Sequence, residues 1–414
     1  MDNKINKFVI ENYLEAKQLL SDLISINTVR KDGDSVYPFG KGINEGQKII
    51  QKYCNKNNIP YVNLDNYIAY SHYGDLNSHI GIWTHLDVVP EGNISKWLSN
   101  PFKLIEKNGN LYGRGVLDNK GSIVYGLMLL KFIIENNIKI DKGLRIIYGN
   151  DEESNFEDIK YYKQKEILPE TSFVLDNMFP VTSIEKGVIN FDLKFKSSDN
   201  ISIKGGVRKN VIAEYCCKLE KDFFSEYCVK PGHASLANGN ENAIKKALED
   251  TKNFELNKFN EIINTIKEEK WYLDNSCSIN IGTIETKENV INVGIEMRYI
   301  LNTFSDIQHL IEKIETYFTN YNISFLNIVK PYKFDKELVN FLLKEYNQFF
   351  NKNLKANVSG YITYAHSLPN SVSFGPFSDK NNSAHCFNEN ISEIDFKNNI
   401  EFYTRTLIKK LGGR

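Results

Sequence analysis

Five segments of the chain carry side chains able to hold metal ions or move protons: His85 with Asp87, Asp118, the pair Glu152-Glu153, Asp176, and His385. Imidazoles and carboxylates without a thiolate suit a catalytic zinc, manganese or cobalt centre better than a structural zinc. The set is also larger than one ion needs. If Asp118 bridges two ions, His85 and Asp176 can complete one site and Glu153 and His385 the other, with open positions for a shared water. Adjacent carboxylates on an extended chain end point in different directions, so one of Glu152 and Glu153 can ligate while the other stays free as a base. His85 and Asp87 are two residues apart on an extended segment and project to the same side, so the Asp87 carboxylate is expected to reach the imidazole and fix its tautomer.

The flanking sequence says which elements deliver these groups. Ile82–Pro90 reads I-W-T-H-L-D-V-V-P, an apolar run that ends abruptly in polar residues, as a buried strand does at its exit. Leu144–Tyr148 is a second such strand, followed by G-N-D-E-E-S, and Ser172–Leu175 a third, ending at Asp176. Between the first two, G-R-G-V-L-D-N-K-G-S precedes a helix over Ile123–Asn136 that is apolar on nearly every face and therefore buried. A helix over Phe156–Gln164 separates the second and third strands. Alternating strands and helices predict an α/β layer with a parallel sheet, in which ligands sit beyond the carboxyl ends of the strands. There His85, Glu152, Glu153 and Asp176 all fall. Upstream, Glu11–Ile26 and Ile43–Asn57 have helical spacing, and Tyr67–Tyr73 reads as a strand.

After Glu185-Lys186-Gly187 the pattern changes to strands at Val188–Lys196, Ser278–Ile284 and Val290–Tyr299, with helices over Ala243–Lys267 and Ile307–Phe318. The fold expected is α/β: a catalytic domain with a mixed, mainly parallel sheet between helices, plus an inserted α+β domain. Residues 1–186 and 329–414 would form the catalytic domain and 187–328 the insertion. The returning part has a long helix from Phe334, a strand at Ser371–Phe374 and a helix at Ile394–Lys410.

With 51 Lys and Arg against 52 Asp and Glu, the formal net charge is −1, which gives no bulk electrostatic reason to bind nucleic acid or an anionic membrane. The N-terminus lacks the apolar run of a secretory signal, no later stretch reads as a membrane span, and a cytoplasmic protein is expected. The six cysteines show no C-x-x-C pairing, which argues against a zinc knuckle or a disulfide framework. The glycines around Gly113 contain no G-x-x-x-x-G-K-[ST] phosphate loop.

Collinear strings cover nearly the whole chain: T-H-L-D-V-V-P-E-G, L-Y-G-R-G-V-L-D-N-K-G, D-E-E-S, F-V-L-D-N-M-F-P-V, G-H-A-S, M-R-Y, L-P-N-S-V-S-F-G-P and A-H-C-F-N-E-N-I. They resemble the co-catalytic dinuclear metallopeptidases, which include carnosinases, aminoacylases and succinyl-diaminopimelate desuccinylase, and within them the PepV-like Xaa-His dipeptidases. The resemblance implies two Zn²⁺, or Mn²⁺ or Co²⁺, with His85, Asp118 and Asp176 on one ion and Asp118, Glu153 and His385 on the other. It implies Asp87 orienting His85, Glu152 as general base and the insertion as a lid. From the lid, His233 would stabilise the oxyanion, and Asn210 and Arg298 would hold the substrate's terminal carboxylate. The implied substrate is a dipeptide, or alternatively an N-acyl or N-succinyl amino acid, and the implied assembly a monomer or homodimer. A further alternative is a non-catalytic metal-dependent binding protein, which the spare carboxylate of Glu152 argues against. The family's G-G-T-Y-A-R segment reads Y-I-T-Y-A-H here, placing His366 where an arginine is usual, and Cys386 follows His385 where glutamine is usual.

Overall fold

The computed structural model describes residues 1–197, 201–230, 232–234, 237–239, 241–273, 277–301, 306–378 and 382–414, with the side chains of 233, 270 and 273 excepted. The chain divides into two compact units. The first comprises Met1–Ser183, Phe334–Asn357 and Thr363–Arg414, and the second Ile184–Lys333 and Val358–Ile362.

The first unit is α/β. Its six-stranded sheet runs Tyr61–Leu64, Ile68–Tyr73, Gly143–Gly149, His79–His85, Thr171–Val174, Ser371–Ser373. The sheet is mixed: the first two pairings are antiparallel and the last three parallel. The parallel half is the one that carries the candidate site. Its register sets His85 opposite Gly149 and Trp83 opposite Val174, so the three chains emerge side by side at one edge. The strands His79–His85 and Gly143–Gly149 are buried throughout, which explains their largely apolar character; the buried Arg145 is paired with Glu166.

The helix expected at Ile123–Asn136 spans Lys120–Glu135 and is buried from Lys120 to Ile133. It packs on the strands His79–His85 and Gly143–Gly149 and against the helices Asp2–Ile24 and Glu393–Lys410. Each fully buried leucine or isoleucine on it contributes about 1.5–3 kcal/mol. Gly126 permits the close approach to the sheet, since a Cβ there would meet the side chain of Ile146. The first helix begins at Asp2, nine residues before the expected Glu11, because Ile5, Phe8 and Val9 continue the buried stripe.

The second unit holds a seven-stranded, wholly antiparallel sheet in the order Phe223–Cys228, Tyr215–Glu220, Ile201–Gly205, Ser278–Lys287, Val290–Tyr299, Gly187–Lys196, Asn322–Val329. Alternate residues Ile189, Phe191, Leu193 and Phe195 enter its core, where they meet Leu248, Phe259 and Ile263 of the helices Ala243–Glu249 and Phe254–Glu268. Asn253 starts the longer helix by accepting from the backbone N–H of Glu255 and Leu256, both at 3.1 Å. Near its other end, burial and the neighbouring Lys245 push Lys267 down from 10.5 to about 8. An ammonium with a lowered folded-state pKa costs stability that is fully felt below pH 8 and vanishes above the unfolded value. Lys267→Met should therefore raise unfolding stability at pH 7, on the order of 2 kcal/mol, with the gain fading by pH 10 to 11. Urea melts at the two pH values check this, and an equal effect at both would refute it.

Candidate metal centre

The candidate site is built in the first unit from the carboxyl edge of the parallel strands, the start of the buried helix and a loop near residue 385. His85 ends its strand with both ring nitrogens engaged. Nδ1 lies 2.9 Å from the backbone carbonyl oxygen of Asp87, and Nε2 lies 3.1 Å from Asp118 Oδ1 and 3.6 Å from Asp176 Oδ2. A proton held on Nδ1 by that carbonyl leaves the Nε2 lone pair for an ion. The Asp87 carboxylate has a second task besides facing the imidazole. It stands 3.5 Å from Nδ1, while its oxygens accept the backbone N–H of Glu152 at 3.2 Å and Glu153 at 3.0 Å. Asp87 thus ties the His85 strand end to the acidic loop of the next strand.

Asp118 has its two oxygens turned to two histidines: Oδ1 to His85, and Oδ2 to His385 Nε2 at 3.1 Å. His385 Nε2 also lies 2.9 Å from Glu153 Oε1. Two triads result, His85-Asp118-Asp176 and Asp118-Glu153-His385, each with its ligand atoms within 4.8 Å of one another and sharing Asp118. Ligand atoms about 2.0–2.2 Å from an ion in tetrahedral array stand roughly 3.3–3.6 Å apart. The observed separations run from 2.9 to 3.6 Å, at or a few tenths of an ångström inside that spacing, and the oxygen and imidazole donor set fits two borderline or hard divalent ions.

The electrostatics ask for positive charge. Burial lowers the pKa of an imidazole, yet the carboxylates of Asp176 and Asp118 outweigh it and hold His85 well above its ordinary value. His385 is raised in the same way by Glu153 and Asp118 against its burial. Burial, then like charge, raises the carboxyls of Asp176 and Glu153. Burial and the nearby Asp176 push Glu152 well above the carboxylate range, and its Oε1 is buried without a hydrogen-bond partner among the described residues. So many acids in one buried volume cost several kcal/mol unless cations neutralise them. Glu152 is left as an acceptor outside both triads.

Several supporting groups carry no obvious mark in the sequence. Asn119 donates to the Leu175 carbonyl at 2.6 Å and to Asp176 Oδ1 at 3.2 Å, and accepts from His85 N–H at 3.3 Å, linking two ligand-bearing strands. Asp158 accepts the backbone N–H of Asn150 at 2.6 Å and Asp151 at 3.0 Å, together with the Tyr364 hydroxyl, and so holds the acidic loop from below. Glu389, fully buried, accepts from Gly115, Leu117 and Asp118 N–H. Glu389 and Asn119 stand inside the strings A-H-C-F-N-E-N-I and L-D-N-K-G, but their partners are mostly backbone groups that leave no spacing pattern.

Of the remaining predicted residues, His366 lies in the first unit, in the 3₁₀ turn Tyr364–Ser367 that Thr363 caps. Asn210 and Arg298 lie in the second unit. There the Asn210 carbonyl accepts Ala234 N–H at 3.0 Å and Val211 pairs with His233 in a short ladder, so the Asn210 and His233 backbones are neighbours. The His233 side chain lies outside the described residues. Arg298 is buried, its Nε 2.7 Å from Glu296 Oε1 and its Nη1 on the Gly360 carbonyl. Among the described residues, no helix is long and apolar enough to cross a membrane.

Two carboxylate-histidine triads that share one aspartate, gathered from a sheet edge and two turns, are the arrangement of a metal-dependent hydrolase with a dinuclear centre. Residues 81–409 match peptidase family M20/M25/M40, and the chain belongs to that family. It is 26% identical to the putative dipeptidase YtjP of Bacillus subtilis, over 89% of this chain and 91% of that protein. It is 31% identical to the Beta-Ala-Xaa dipeptidase of Lactobacillus delbrueckii subsp. lactis, over 46% of this chain and 42% of that one. The fold is similar to the crystal structure of human carnosine dipeptidase 1, with a TM-score of 0.64 at 14% identity, covering 99% of this chain and 98% of that one.

Proposed function

We propose that the protein hydrolyses the amide bond of dipeptides or short peptides, as a PepV-like dipeptidase, with Glu152 as general base. The observation that carries this is Glu152 itself, a buried carboxylate outside both triads with an oxygen that has no partner among the described residues. A binding protein needs the ligands but has no use for that group. Two bound divalent ions supply a water acidified from about 15.7 toward roughly 7 and a polarised amide carbonyl. His85, Asp118 and Asp176 would hold one ion, and Asp118, Glu153 and His385 the other. Glu152 takes the water's proton and passes it to the leaving amine. By the family resemblance the second unit would act as a lid, with His233 serving the developing oxyanion and Asn210 and Arg298 the terminal carboxylate. Glu296 and Gly360 fix the Arg298 guanidinium, the first through Nε and the second through Nη1.

Arg298→Ala is expected to raise KM for free-carboxylate dipeptides by about 10-fold or more, with little effect on amidated ones. An unchanged KM for both removes the clamp from the mechanism. Zn²⁺, Mn²⁺ and Co²⁺ are the candidate ions, and a monomer or a homodimer acting on small substrates away from nucleic acid and membrane is the expected setting. The names of the matched relatives support the dipeptidase reading. The test is a panel of dipeptides, including Xaa-His and β-Ala-Xaa, beside acetyl and succinyl amino acids, with each metal added. Cleavage of dipeptides supports the proposal, and cleavage of acylated amino acids alone moves the protein to the N-acyl amidohydrolase alternative. No cleavage despite two bound ions favours the binding-protein alternative.

A further inference from the structure

Glu389 stands four residues after His385, and its side chain is fully buried. Its Oε1 accepts the backbone N–H of Leu117 and of Asp118, both at 2.9 Å. Its Oε2 accepts Gly115 N–H at 3.0 Å and Arg114 Nη1 at 2.8 Å. The Glu389 carbonyl takes Gly113 N–H at 3.0 Å, and Arg114 reaches back to the Cys386 carbonyl at 3.3 Å. One carboxylate therefore gathers the turn 113–118 that delivers Asp118, while its own chain segment delivers His385. Neither ligand segment is regular secondary structure at the ligand, so the bonds from the Glu389 carboxylate to backbone N–H groups, rather than a strand or helix, set where Asp118 stands.

We infer that Glu389 is the positioning residue that presents both oxygens of Asp118 to the two metal sites and couples loading of one site to the other. It acts through backbone hydrogen bonds and touches neither substrate nor ion. The chemistry demands a carboxylate. Only an ionised acid accepts on both oxygens, four bonds in all, whereas glutamine in either orientation turns an NH₂ toward N–H donors. The arrangement also makes coupling inherent: ordering His385 around one ion orders the segment that holds Asp118 for the other. This inference rests on the dinuclear reading of the centre but on no assumption about substrate.

The test is calorimetric titration of the metal-free protein with Zn²⁺ and with Mn²⁺, alongside melting of the same metal-free samples. Glu389→Gln is expected to weaken binding at both sites by about 10- to 100-fold, the usual effect of losing an outer-shell partner. Arg114→Met removes the buried cation but keeps the Oε1 bonds to Leu117 and Asp118. It is expected to lower the melting temperature while leaving metal affinity within about threefold. That split separates positioning from mere structural support, which would move melting in both variants and affinity in neither. If Glu389→Gln does not fold, Glu389→Asp, which keeps the charge and shortens the reach, should show the same loss of affinity. Native affinity at both sites in a folded Glu389 variant overturns the inference. Failure of the unsubstituted protein to bind two ions sinks instead the dinuclear reading beneath it.

Discussion

Asp118→Ala is expected to remove both metal ions together and to lower hydrolysis by at least about 10³-fold. The expectation follows from the split of its carboxylate, with Oδ1 toward His85 and Oδ2 toward His385. No other ligand belongs to both triads. His385→Ala should by contrast lose one ion and leave His85, Asp118 and Asp176 to retain the other. Metal content after dialysis against a weak chelator distinguishes the two patterns. Retention of two tightly bound ions by Asp118→Ala would show that the carboxylate does not bridge.

Glu152→Ala is expected to lower kcat by about 10²- to 10⁴-fold while both ions stay bound and KM changes little. The same substitution should not weaken the metal-free fold. Burial holds the Glu152 carboxyl well above its ordinary value, so ionising it in the folded state costs free energy. For an acid shifted upward the cost is absent below the unfolded pKa and grows as pH rises toward and through the folded value. The metal-free variant should therefore melt at or above the temperature of the parent near pH 7, the usual exchange of stability for activity at a catalytic position. Normal turnover in Glu152→Ala would remove it as the base.

His85, Glu152, Glu153 and Asp176 were readable because each follows an apolar strand, whereas Asp118 and His385 stand in turns and were found only through the collinear strings around them. The apolar run before His85, the strand before the acidic loop and the strand before Asp176 can only be buried strands, and their exits share one edge. What could not be read is how backbone groups are satisfied. Asp87 lies where the i, i+2 rule puts it, yet its carboxylate serves the N–H groups of Glu152 and Glu153 more closely than the imidazole. Asp158 and Glu389 likewise bond to main chain, which has no sequence signature. In the second unit, the strands Ile201–Gly205, Tyr215–Glu220, Phe223–Cys228 and Asn322–Val329 escaped notice because lysine, glutamate, serine and asparagine alternate with their apolar residues. In Ile201–Gly205 the polar Ser202 and Lys204 are exposed, whereas Lys218 of Tyr215–Glu220 is buried and donates to the Ala247 and Asp250 carbonyls. A five-residue piece such as Val358–Ile362, belonging to the second unit, carries too little pattern to be assigned at all.

The first unit is discontinuous in sequence, and this governs how a ribosome can make it. Strand Ser371–Ser373, His385, Glu389 and helix Glu393–Lys410 all follow the insertion, while the partners they need precede residue 184. At roughly 5–20 residues per second, His85 waits about 15–60 s for His385 to emerge. During that interval the buried helix Lys120–Glu135 lacks the neighbour that later covers it, and the nascent sheet has an unpaired edge. The insertion, nearly continuous from Ile184 to Lys333, can close its own core first. Capture of an ion by the triad Asp118-Glu153-His385 can therefore come only after the insertion has been made.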